Sequence, residues 1–170
     1  MKKNNFLWDI FLDYQKNEEE YCLWRWCTTC GHRKIRDELF HKSINELGVS
    51  FEETGMWEGF LYLGNIRQEE LFTKILKLIC QKLNTLSHNE VDIMLGPEPF
   101  YESDHNRDDF IKFVIMDIYS SLEGRFTDRK ELMNYFESLI TNDKISNVVM
   151  KMNSRYLKYS NTQKQSVTVE

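Results

Sequence analysis

Apolar residues recur at helical spacing over most of the chain. Between 66 and 84, Leu71, Ile75, Leu78, Ile79 and Leu83 fall three or four residues apart, the signature of one buried helix face. Asn65 and Gln68 stand where an N-cap and its partner would be expected. Residues 33–47 carry Ile35, Leu39, Phe40, Ile44 and Leu47 and end at Gly48, a natural C′ residue. Asp128 and Glu131 form a capping-box pattern ahead of Leu132, Met133, Phe136, Leu139 and Ile140, and 145–159 repeats the spacing with Ile145, Val148, Val149, Met152 and Tyr156. Phe6, Leu7, Ile10, Phe11 and Tyr14 predict an amino-terminal helix.

The run Phe110 to Met116 reads equally as a buried strand or as the central helix of a bundle. Asp108 and Asp109 ahead of it, apolar spacing continued to Ile118 and Leu122, and Gly124 as a stop favour a helix of about four turns. The expected fold is therefore all-α, a bundle of about six helices. Residues 48–64 interrupt the pattern with four glycines and Phe51, Trp57, Phe60 and Tyr62, and predict a small hairpin or an aromatic-lined loop.

At 170 residues, 41% apolar and 14% aromatic, the chain suffices for one core. A single helical domain over 1–160 is expected, with 161–170 as a mobile tail of low apolar content. Alanine is absent, so neighbouring helices are expected to pack through bulky side chains. No apolar run approaches the roughly 18 residues of a membrane span. The apolar stretch after Met1-Lys2-Lys3 is broken by Asp9 and Asp13, which argues against an export signal. These features predict a cytoplasmic protein with reduced cysteines.

The formal charge of −5 makes a nucleic-acid partner a poor expectation, because counterion release from phosphates needs a basic surface. The charge is unevenly spread. Residues 85–110 set Arg107 against Glu90, Asp92, Glu98, Glu102, Asp104, Asp108 and Asp109, a net −6, whereas 1–84 carry −1 and 111–170 carry +2. Phe100 and Tyr101 stand within this acidic stretch. Carboxylates steer encounter with a basic protein, and aromatic rings supply buried contact area. Glu90, Asp92, Glu98, Phe100, Tyr101, Glu102, Asp104 and Asp108 are thus the candidate partner-binding residues. The competing reading is an ordinary solvated loop.

A second cluster is Cys22-Leu-Trp-Arg-Trp-Cys27-Thr-Thr-Cys30-Gly-His32. Cys27 and Cys30 form half of a zinc site, with Cys22, His32 or the distant Cys80 needed to complete it. Trp26-Cys27-Thr28-Thr29-Cys30 is also similar to the W-C-x-x-C element of thioredoxin-like oxidoreductases. The βαβ setting of that family is missing from the pattern, so the similarity stops at these residues. Basic neighbours Arg25, Arg33, Lys34 and Arg36 would favour a thiolate. The alternative is that the cysteines are small apolar core residues.

No Walker A, dinucleotide-binding, nucleophile-elbow or H-E-x-x-H motif occurs, and the adjacent acids Glu18 to Glu20, Glu52-Glu53 and Glu69-Glu70 read as solvated helix surface. The sequence thus points to a non-enzymatic protein-binding protein, most concretely an acidic immunity protein or antitoxin that neutralises a basic, nuclease-like toxin. The alternative is a zinc or thiol protein centred on Cys27 and Cys30; no other cofactor is expected.

Overall fold

The computed structural model describes residues 5–16, 28–57, 63–95 and 110–151. Its helices are α1 (Phe6–Lys16), α2 (Thr28–Leu47), α3 (Glu69–Asn84), α4 (His88–Leu95), α5 (Phe110–Glu123), α6 (Arg129–Leu139) and α7 (143–151). Single 3-10 turns occur at Glu52–Thr54 and Leu63–Asn65. Among the described residues there is no strand, and the fold is an all-α bundle. No described helix is long and apolar enough to cross a membrane. The expected tail at 161–170 lies outside the described residues.

α5 is the hub. The ambiguous apolar run is helical, and α5 packs against α2, α4, α6 and the Leu63–Asn65 turn. Because it is covered on several sides, Phe110, Ile111, Val114, Ile115, Ile118 and Leu122 are all buried, which is why its sequence lacks the one-sided polarity of a surface helix. α1 lies against α2 and α3. Its Phe6, Leu7, Ile10, Phe11 and Tyr14 are buried, and the Phe11 ring meets Phe110 at 5.6 Å between centroids and 60°, a tilted geometry suited to aromatic quadrupoles.

The helix ends differ from the expected caps in informative ways. α3 begins at Glu69 after Gln68, whose side chain makes no cap bond; Asn65 belongs instead to the preceding 3-10 turn. α1 is capped by Asn5, whose Oδ1 accepts the Leu7 N–H at 3.1 Å. The same amide donates to the Lys82 carbonyl at 2.8 Å near the end of α3, so one side chain closes two helix termini. Asp128 caps α6 by accepting the Lys130 N–H at 2.9 Å. α2 ends as expected at Gly48, which takes φ 69°. There the Val49 N–H reaches the Ile44 carbonyl at 2.9 Å and the Gly48 N–H reaches Asn45 at 3.2 Å, the paired bonds of a Schellman motif.

The hairpin expected within 48–64 is not found in the described part of that stretch. Gly48 and Gly55 supply left-handed ends of helical turns rather than hairpin corners. Between them, Ser50 N–H donates to Glu53 Oε2 at 2.8 Å and Glu53 N–H to Ser50 Oγ at 3.4 Å, a reciprocal cap that commits the segment to a 3-10 turn. Phe51 folds in against Phe40 at 5.8 Å, edge to face.

Bulky packing throughout was also expected from the absence of alanine. Serine takes the small positions: Ser43 on α2 and Ser121 on α5 are fully buried. Each hydroxyl donates within its own helix, to Leu39 and to Ile118, both at 2.6 Å, so burial leaves neither hydroxyl unmet.

Candidate functional site

Glu90 and Asp92 are the acidic-stretch candidates among the described residues, and both have internal partners. Glu90 lies in the first turn of α4. Its Oε1 accepts the Ser87 N–H at 3.0 Å, while its own N–H donates to Ser87 Oγ at 3.1 Å. This is a capping box, legible in Ser87-His88-Asn89-Glu90 although Glu90 also belongs to the acidic run. Asp92, one turn from the helix start, meets Lys144 Nζ of α7 at 2.5 Å. Glu90 therefore serves α4, and Asp92 ties α4 to α7.

Glu98, Phe100, Tyr101, Glu102, Asp104 and Asp108 lie outside the described residues, as does the whole stretch 96–109. Its sequence keeps five carboxylates against Arg107, a net −4 in fourteen residues. The helices that flank it, α4 and α5, pack against each other.

For the cysteine cluster, α2 begins at Thr28, five residues before the expected start. Cys30 and His32 thus belong to its first two turns, while Cys22 and Cys27 lie outside the described residues. Cys80 is different. It sits on the buried face of α3 among core residues, and burial pushes its thiol up to about 12. Among the described residues no three metal-ligating side chains converge.

The fold brings together one charged pair that segment charges do not reveal. Asp117 of α5 is 3% exposed, and its Oδ1 lies 2.8 Å from Arg36 Nε of α2. Arg36 acts on the carboxylate through charge attraction and a loosely aligned N–H contact, and Oδ2 has no hydrogen-bond partner. Burial pushes the Asp117 carboxyl up to about 7, while Arg36 draws it part of the way back. The sequence held a signal: residue 117 falls seven after Phe110, three after Val114 and four before Ser121, on the buried face of its helix.

Arg125 is a second, more deeply buried arginine. Its guanidinium lies over the Phe72 ring at 3.6 Å, donates to the Ile66 carbonyl at 2.6 Å and pairs with Glu69. These contacts fasten the α5–α6 turn to the start of α3, a structural role. No family model matches the chain, and comparison with curated proteins and with solved structures returns no match.

Proposed function

We propose that this protein acts by binding a basic protein partner through residues 96–109, and that it is most concretely a neutralising protein of the immunity or antitoxin kind, covering the cationic surface of a nuclease-like toxin. The observation that carries this reading is the charge left once internal roles are assigned. Glu90 and Asp92 are used within the fold, yet 96–109 still holds net −4 with Phe100 and Tyr101 between Glu98 and Glu102. Such a segment provides long-range attraction and aromatic anchors together.

The test is affinity capture from the native cell with the wild-type chain and with a variant carrying Ala at Glu98, Phe100, Tyr101, Glu102 and Asp104. A basic protein retained by the wild type at low salt, weakened at high salt and lost with the variant supports the proposal. Equal retention by the variant refutes it.

The start of α2 at Thr28 favours a second reading, as a zinc or thiol protein. It puts Cys30 in a first helical turn directly after Cys27, where the positive end of the helix stabilises a thiolate. Zinc content near one per chain that disappears in Cys27→Ser, or fast alkylation of Cys27 or Cys30 at neutral pH, would support it; the absence of both zinc and fast alkylation would remove it.

A further inference from the structure

The Asp117–Arg36 contact belongs to no site described so far, and its two halves are unequal. Asp117 is almost wholly removed from water, whereas the Arg36 side chain is 38% exposed. A buried carboxylate is tolerated when several donors surround it. Here the opposing helix contributes one cation at 2.8 Å, and Oδ2 has no hydrogen-bond partner.

The other elements against α5 add no second charge to it among the described residues. On α4, Glu90 and Asp92 are engaged with Ser87 and Lys144, and His88 is exposed at the helix start. On α6, Arg129 donates to Tyr119 at 3.0 Å. The Leu63–Asn65 turn carries no ionisable side chain. Of the charged residues on α2, Arg36 is the one that acts on Asp117.

We propose that Asp117 and Arg36 make the α2–α5 seam a proton-linked joint, packed most firmly when Asp117 is protonated and loosened when it is ionised. The physical reason is that the neutral acid fits an environment with one imperfectly aligned donor, whereas the anion does not. The folded chain thus holds this proton more tightly than the unfolded chain does. The stability it contributes is fully present below the ordinary value of 3.8, falls as pH rises, and is lost above about 7. In sequence, Arg36 stands four residues after His32 and Asp117 eight after Asp109, and the joint depends on neither candidate reading.

Carboxyl-carbon NMR of the full chain, assigned by comparison with Asp117→Asn, gives the direct test. The expected midpoint for Asp117 is near neutrality, and a midpoint in the ordinary carboxylate range overturns the proposal. Arg36→Gln should raise the midpoint further; no movement would refute the pairing. Thermal unfolding adds a readout of the seam. Asp117→Asn keeps the shape and stays neutral, so its melting temperature relative to wild type should rise by about 5 °C between pH 5 and pH 8. An unchanged difference overturns the link between the proton and the seam. Should the Asn variant fail to fold, the wild-type and Arg36→Gln titrations, assigned by triple resonance, still decide.

Discussion

Asn84 Oδ1 accepts the backbone N–H of Asn142 at 3.3 Å, across 58 residues of sequence. The same oxygen accepts the Thr141 N–H at 2.8 Å, and Asn84 Nδ2 donates to the Leu139 carbonyl at 2.9 Å. Asn142 continues the chain of bonds: its Oδ1 accepts from Lys144 and Ile145 at the start of α7, and its Nδ2 donates to the Leu86 carbonyl at 3.0 Å. The end of α3, the end of α6 and the start of α7 thus meet through two amide side chains.

Asn84→Ala should therefore destabilise the protein beyond the usual cost of a surface change. It leaves three backbone groups without their partner, and we expect a loss of about 2–3 kcal/mol in urea unfolding. Asn142→Ala should cost a similar amount through loss of the α7 cap. The double variant should cost clearly less than the sum of the two, because the residues share one network; strict additivity would contradict it.

Glu90 and the acids of 96–109 should separate in their effects. Glu90→Ala is expected to lower stability by about 1 kcal/mol through loss of the capping box. Asp92→Ala should cost under about 1 kcal/mol, since its pair with Lys144 is exposed to solvent. Replacing Glu98, Glu102 and Asp104 should leave the melting temperature nearly unchanged while weakening capture of the basic partner. Thermal unfolding measured beside the capture experiment makes the comparison.

Cys80 should resist alkylation in the folded protein at pH 7–8 and react on unfolding in urea, read by peptide mass spectrometry, because burial holds its thiol up to about 12. Cys80→Ser should destabilise by about 1–3 kcal/mol, since a hydroxyl demands a partner that an apolar site does not give.

At the end of α2, Gly48→Ala meets open space but a backbone at φ 69°. The expected loss is about 1–2 kcal/mol from conformational strain alone. Gly124→Ala, where φ is not positive and space is also open, should be stabilising or neutral, and urea unfolding distinguishes the two sites.

The sequence by itself determined that the chain is helical, because the three- and four-residue apolar spacing is a local property of each segment. It set the buried faces of α1, α3 and α6, the stop at Gly48 and the cap at Asp128. The capping boxes at Ser50–Glu53 and Ser87–Glu90 were also legible, hidden only by reading their acids as surface charge. What tertiary structure decided concerns partners remote in sequence. The meeting of Asn84 with Asn142 and of Arg36 with Asp117 depends on which helices become neighbours, and no local pattern carries that. The same holds for acidity: residue counts make Asp117 one carboxylate among many, whereas burial on α5 pushes it up to about 7.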